Sequence, residues 1–181
     1  MRVHDTEIVG IKILEPDVHR DARGYFCETY NRERYREIGI AAEFVQDNES
    51  LSTKGVVRGF HWQAGEHAQA KLLRVIRGSV WDVAVDIRRG SSTFGKHVAV
   101  VLSAENGRQL YVPRGFAHGF IVLEDNTLLS YKCDNVYCPA AERGMRFDDP
   151  MLEIEWPNIG IAFTLSEKDK KHPPLSEIEP W

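Results

Sequence analysis

Along VWDVAVDIR (residues 80–88) apolar and polar positions alternate with a period of two. Trp81, Val83, Val85 and Ile87 fall on one face; Val80, Asp82, Ala84, Asp86 and Arg88 fall on the other. That is the pattern of a strand whose two faces serve different ends. Further strands are predicted in IVGIKIL (8–14), GYFCETY (24–30), VVRGFHWQ (56–63), AKLLRVIRG (70–78), HVAVVL (97–102), RQLYVP (108–113), GFIVLE (119–124), TLLSYKC (127–133) and LEIEW (152–156). Turn signals such as RRGSS, AENG and EDN separate several of them. Arg77-Gly78-Ser79 predicts a hairpin between two of these strands.

Helical pattern is sparse. NRERYREIG (31–39) starts at an Asn31 cap and stops at Gly39. LSEKDKK (165–171) predicts a short helix capped by Ser166, with Glu167 and Asp169 in its first turn. About ten short strands and so little helix imply an all-β jelly roll or a related barrel. No internal repeat or low-complexity linker divides the chain, so residues 1–181 are expected to form one domain. KHPPLSEIEPW (171–181) is expected to lie on the surface as a tail.

Composition narrows the partners. A chain of 181 residues can bury a sizeable core, and 43% hydrophobic with 28% charged residues is ordinary for a globular protein. A formal net charge of −4 gives no support to a nucleic-acid or membrane-surface partner. Any anionic ligand must therefore be held by a local cluster of Arg and Lys. No apolar run reaches the length of a bilayer span. MRVHDTEIVGIKILEP alternates and lacks a signal-peptide core, and Cys27, Cys133 and Cys138 form no C-x-x-C pair. These features predict reduced, structural cysteines and a cytoplasmic location.

Two chemistries compete for the polar residues. PRGFAHG (113–119) contains P-x-G-x-x-H, similar to the second half of the metal signature of cupin barrels. Where that signature's first half has H-x-H and then Glu, this chain reads His61-Trp62-Gln63, with Glu66 and His67 nearby. Gln is a poor ligand for zinc or iron, and Lys71 would repel a divalent ion. No bound metal is therefore expected, and no cofactor. Acid–base chemistry fits better: His61 can accept a proton, Lys71 can stabilise an oxyanion, and Tyr131 can donate a phenolic proton. Taken singly, each has an ordinary structural reading, as a satisfied core ring or a solvated strand cation. One obstacle is geometric. Strict alternation puts Arg58 and His61 on opposite faces, so a shared pocket requires Gly59 to mark a bulge.

Read together, the segments resemble the dTDP-4-dehydrorhamnose 3,5-epimerases. The resemblance rests on DARGYFCETYN (21–31), VQDNESLSTKGVVRGFHWQ (45–63), AKLLRVIRGSVWDVAVDIRRGSSTFGKH (70–97) and LSAENGRQLYVPRGFAHGFIVLED (102–125). YKCDNVYCPAAERG (131–144), DDPMLEIEWP (148–157) and LSEKD (165–169) extend it over nearly the whole chain. It implies a metal-independent cupin-type jelly-roll barrel (a double-stranded β-helix) with a few short helices, working as a homodimer on a dTDP-4-keto-6-deoxyhexose. By the resemblance, His61 is the general base, Asp169 its orienting carboxylate and Tyr131 the general acid. Lys71 lies near the C4 oxygen, and His118 is a second pocket histidine. Arg23 and Arg58 match substrate-binding arginines. Glu28, Gln46, Asp47, Asn48, Glu142 and Lys168 match other contacts to the nucleotide sugar, some of them reaching in from a partner subunit. The departures are Trp62, where Tyr or Phe is expected, and Val136 beside Tyr137, where some relatives carry an aromatic.

The implied reaction inverts C3 and C5 of dTDP-4-keto-6-deoxy-D-glucose in dTDP-rhamnose biosynthesis. Three alternatives stand beside it: an epimerase acting at one carbon only, a metal-dependent cupin oxygenase, and a sugar-binding barrel without catalysis.

Overall fold

The computed structural model describes all residues from Met1 to Trp181. The chain runs β1 (Arg2–Asp5), β2 (Lys12–Glu15), β3 (Val18–Asp21), β4 (Gly24–Cys27), α1 (Arg32–Glu37), β5 (Gln46–Ser52), β6 (Val57–Gln63), β7 (Lys71–Arg77) and β8 (Ser79–Asp86). It continues with β9 (His97–Ser103), β10 (Gln109–Val112), β11 (Phe116–Val122), β12 (Thr127–Cys133) and β13 (Glu142–Gly144). Two antiparallel sheets carry the architecture, in the orders β1-β2-β10-β7-β12-β5 and β13-β6-β11-β8-β9. Strands that neighbour one another are mostly distant in sequence, the crossing pattern of a jelly roll. β3 and β4 form a separate two-stranded ribbon. No helix is long and apolar enough to cross a membrane.

The period-two pattern decides what lies between the sheets. Leu73 and Val75 of β7, Leu110 and Val112 of β10 and Leu129 of β12 meet Val80 and Ala84 of β8, Val100 and Leu102 of β9, and Phe116, Phe120 and Val122 of β11. These residues form the main core, and Tyr131 packs against it. The opposite face of β8 is buried too. Val83, Val85 and Ile87 pack with Phe60, Trp62, Met145, Leu152 and Leu175 under the C-terminal segments. Leu175 and the backbone of Trp181, which pairs with Ile87 and Arg89, anchor the segment expected to lie on the surface as a tail.

Three further expectations change. Arg77-Gly78-Ser79 makes no hairpin: β7 pairs with β10 and β12, whereas β8 pairs with β9 and β11. Gly78 is where the chain crosses between sheets. Its φ is +79°, and a Cβ there would lie 2.2 Å from Thr127 Oγ1, so only glycine fits. LEIEW forms no strand; its residues leave a 3₁₀ turn at Pro150–Leu152 and place Leu152, Ile154 and Trp156 on the second core. Tertiary burial, not strand pairing, accounts for its apolar alternation. The helix expected over 165–171 is a single 3₁₀ turn, Asp169–Lys171. Asn31 does cap α1, accepting from the backbone amides of Glu33 and Arg34.

Candidate active site

β6 supplies the first wall. Its register with β11 slips by one residue: His61 faces His118, whereas Arg58 faces Phe120. Three steps along β6 thus match two along β11, which is a bulge. It turns Arg58 and His61 to the same interior side and sends Phe60 outward into the second core. Gly59 makes this possible, with φ +121° and a position whose Cβ would come within 2.5 Å of Gly119 Cα.

The facing sheet supplies the second wall. Leu129, Tyr131 and Cys133 alternate inward along β12, and Lys71 and Leu73 along β7. The two walls enclose a cavity of about 530 Å³ lined by Arg58, His61, Lys71, His118, Tyr131, Glu142, Lys168 and Asp169 among others. A smaller recess of about 220 Å³ shares His61, Lys71, Tyr131 and Glu142 and adds Gln46, Asn48 and Tyr137. A larger groove of about 970 Å³ runs outside the barrel past Arg143, Pro173 and Trp181. It holds none of these titratable interior groups.

His61 Nε2 lies 2.6 Å from Asp169 Oδ1. The carboxylate is 5% exposed and the imidazole 29% exposed, so one is buried while the other opens to the cavity. Asp169 arrives here because Thr164 bridges Val56 at the edge of β6, and Ser166 Oγ accepts from the Asp169 amide. Burial raises the Asp169 pKa, but the hydrogen bond and charge of His61 outweigh it and hold the carboxyl below its ordinary value. The carboxylate therefore keeps Nε2–H on the imidazole and leaves Nδ1 free to accept a proton.

Lys71 Nζ donates to the His61 carbonyl at 3.5 Å. Burial pushes its ammonium pKa down, against the pull of Cys133, Asp82 and Glu142. His118 Nε2 meets Asp82 Oδ1 at 2.8 Å, and burial lowers this imidazole's pKa despite that carboxylate. Burial raises the pKa of the Tyr131 phenol, which keeps its proton. At the mouth, Glu142 binds Lys168 at 2.5 Å and accepts from Tyr137 Oη at 2.6 Å. Gln46 accepts from the Tyr137 amide at 2.8 Å and donates to Asn48 at 3.1 Å.

Of the residues singled out in the sequence, ten line these connected cavities: His61, Lys71, His118, Tyr131, Asp169, Arg58, Gln46, Asn48, Glu142 and Lys168. Arg23, Glu28 and Asp47 do not. Arg23 is 89% exposed at the tip of the β3–β4 ribbon and pairs with Asp21. Glu28 pairs with Arg34 at 3.0 Å, and Asp47 with Lys132 at 2.8 Å. Gln63 is buried, accepting from the Cys138 amide at 2.9 Å, and Glu66 and His67 sit in an outer 3₁₀ turn. Trp62 faces the second core, and Val136 is exposed next to Tyr137. Sequence reasoning passed over the role of Asp82 and missed His172. Asp82 carried a signal, an acid on the interior face of an apolar strand. His172 carried none.

A jelly-roll cavity with a carboxylate-anchored imidazole on one wall, a phenol on the other and an ammonium between holds groups of the kinds that can accept and donate protons. Comparison with known proteins narrows this. The family profile described as dTDP-4-dehydrorhamnose 3,5-epimerase matches residues 5–177. A curated dTDP-4-dehydrorhamnose 3,5-epimerase from Shigella flexneri is 53% identical over 170 residues, 93% of each chain. The crystal structure of a dTDP-6-deoxy-D-glucose-3,5-epimerase from Legionella pneumophila, in complex with dTDP-4-keto-L-rhamnose, superposes with a TM-score of 0.95 at 47% identity, over 98% of this chain and 94% of that one. A 3′-monoepimerase from Streptomyces bikiniensis, in complex with dTDP-quinovose, follows at a TM-score of 0.90 and 35% identity, over 96% and 87%. The chain belongs to the dTDP-4-dehydrorhamnose 3,5-epimerase family; it is an enzyme of that class on a cupin-like jelly roll.

Proposed function

We propose that this enzyme inverts C3 and C5 of dTDP-4-keto-6-deoxy-D-glucose to give dTDP-4-keto-L-rhamnose, in dTDP-rhamnose biosynthesis, with residues 1–181 acting as one catalytic domain. The observation that carries the proposal is the pairing of His61, anchored on Asp169, with Tyr131 from the facing sheet across one cavity.

The 4-ketone makes the hydrogens on C3 and C5 acidic. His61 Nδ1 takes one of them, and Asp169 stabilises the imidazolium that forms. The electron pair moves onto O4 as an enolate. Lys71 stabilises that charge as it develops. Tyr131 then delivers its proton to the opposite face of the same carbon, completing the inversion. Solvent returns a proton to the phenolate and removes one from the imidazolium, and the cycle repeats at the second carbon. No redox group is needed, because no electrons leave the sugar. Arg58 suits the diphosphate by its forked donors. Gln46, Asn48, Glu142 and Lys168 are proposed to hold the rest of the nucleotide sugar, and His118 to line the sugar pocket. Binding energy from the remote nucleotide positions the ring.

The working unit is proposed to be a homodimer in the cytoplasm. The β3–β4 ribbon exposes Tyr25 (63%) and Phe26 (70%), and Leu51 and Ile76 are exposed on the outer face of the six-stranded sheet. A second copy covering this side would shield the apolar groups. It would also bring Arg23, Glu28 and Asp47 toward the partner's cavity.

The test is turnover of dTDP-4-keto-6-deoxy-D-glucose in deuterated water followed by proton NMR. Loss of signal at both C3 and C5, with the L-rhamno product, is the expected result. Exchange at one carbon alone would make the enzyme a mono-epimerase, and no exchange would end the proposal.

A further inference from the structure

His172 has no part in the mechanism above, yet it is aimed at the mechanism's anchor. It follows the Asp169–Lys171 turn, and its ring lies edge-on to that of His61 with centroids 5.5 Å apart. Its Nε2 is buried, lies 3.4 Å from Asp169 Oδ1, and makes no hydrogen bond. A buried imidazole nitrogen without a partner is costly unless something binds it. Gly144 fixes the ring: a Cβ there would sit 2.4 Å from His172 Nε2 and Cε1, so the imidazole occupies that space.

Three donor side chains thus converge: the ligand atoms of His61, Asp169 and His172, one from each, lie within 4.8 Å of one another, and the two Nε2 atoms stand 2.6 Å and 3.4 Å from Asp169 Oδ1. Zinc binds imidazole and carboxylate at about 2.0–2.2 Å, which separates tetrahedral donors by about 3.3 Å. The His172–Asp169 spacing of 3.4 Å already fits. The His61–Asp169 contact of 2.6 Å is a hydrogen bond and must open by less than an ångström. Two routes lead in. Asp169 lines the main cavity and also a separate cavity of about 320 Å³ that reaches His172 past Arg146, Phe147 and Lys170. Of the cations nearby, Arg146 is matched by Asp148, Lys170 by Glu167 and Lys168 by Glu142, whereas Lys71 donates to the His61 carbonyl from the side of the main cavity.

We infer that His61, Asp169 and His172 form a regulatory site for a divalent transition-metal ion, zinc above all, and that its occupation switches the enzyme off. The chemistry is a change of tautomer. In the metal-free enzyme Nε2 of His61 carries the proton and Nδ1 accepts. Zinc takes the Nε2 lone pair, so the ring proton moves to Nδ1. A neutral imidazole metallated at Nε2 has no lone pair left for the sugar. No proton is gained or lost in the switch, and no electron moves. Magnesium and calcium, which prefer oxygen ligands, are excluded by the two imidazoles. The inhibition rests on His61 being the base proposed above; the binding does not.

The experiment uses the full chain stripped with a chelator. Titration with Zn²⁺ should abolish turnover, EDTA should restore it, and Mg²⁺ at the same concentration should leave it unchanged. Co²⁺ should bind with a visible ligand-field band. His172→Ala should keep its metal-free kcat and KM, yet need at least about tenfold more zinc for half-inhibition and lose the cobalt band. His172→Gln, which fills the same space over Gly144, should behave as the Ala variant does. Equal zinc sensitivity in wild type and both variants, or no cobalt band in the wild type, overturns the inference. If the wild type fails to turn over the sugar, the cobalt band and its loss in the variants still establish the site, and only the proposed reaction falls.

Discussion

Two histidine–carboxylate pairs lie within one barrel and differ in what surrounds them. His61 and Asp169 meet at 2.6 Å, His118 and Asp82 at 2.8 Å. In the first pair the imidazole is 29% exposed to the cavity and its carboxylate comes from a turn near the C-terminus. In the second the imidazole is 7% exposed, the carboxylate is fully buried, and both stand on neighbouring strands of one sheet. The same two functional groups therefore hold different positions on the path from structure to chemistry. An imidazole that faces open volume can exchange a proton with a ligand. One that is sealed between strands mainly holds its wall in place and presents an edge.

This contrast can be tested by breaking each pair in turn. His61→Ala should reduce deuterium incorporation at C3 and C5 by about 10³-fold, the scale of a lost general base, while the melting temperature stays near the wild-type value. A variant that still exchanges at the wild-type rate would remove His61 as the base. Asp169→Asn keeps the shape but loses the charge that orients the ring, and kcat should fall roughly 10²-fold. An unchanged kcat would show that the pair has no role in proton transfer.

His118→Ala should act first on stability. It strands the buried Asp82 carboxylate, whose second oxygen already has no partner, and should cost about 3 kcal/mol in urea unfolding. A variant as stable as wild type would show that water or a neighbouring group compensates Asp82 without the ring.

The smallest effect expected is in the pH dependence. Burial lowers the His118 pKa, so the unfolded chain takes up that proton at a higher pH than the native one does. Its contribution to stability is complete above the unfolded value of about 6.5 and declines as pH falls below it. Asp169 is also held below its ordinary pKa, but it is a carboxyl. Its contribution is present above the unfolded value of about 3.9 and is lost only as pH falls from there through the lower native value. Urea titrations from pH 7 to pH 5 should therefore show a slope that His118→Ala reduces, with His97 and His172, whose pKa values burial also lowers, supplying what remains. An unchanged slope in His118→Ala would show that this imidazole binds its proton equally in the folded and unfolded chain.

Much of this was visible in the chain before any folding was considered. Alternation in VWDVAVDIR separates the two buried faces of β8, because side chains on a strand point to opposite sides whatever the partner strand is. It also put Asp82 on one face with Val80 and Ala84, though not against His118. Asn31 announces α1 because capping is local chemistry between a side chain and the next amides. The ordered motifs from 21 to 169 carried His61, Lys71, Tyr131 and Asp169 together through the family resemblance.

Other features depended on contacts between distant parts of the chain. Gly78 reads as a hairpin turn, yet it carries the strand into the other sheet, since Thr127 occupies the space beside it. LEIEW has a strand's alternation but finds a hydrophobic surface instead of a free edge. Arg58 and His61 are on opposite faces by count and on the same face in fact, because Gly59 accepts a conformation that lets it lie against Gly119. His172 has no motif; its place beside Asp169 exists only once Gly144 leaves room for its ring. Sequence by itself thus determined most of the central strands, the Asn31 cap and the chemical types in play, since these depend on neighbours along the chain. Which residues share a cavity was decided by packing across more than a hundred positions, as between His61 and Asp169, which are 108 residues apart.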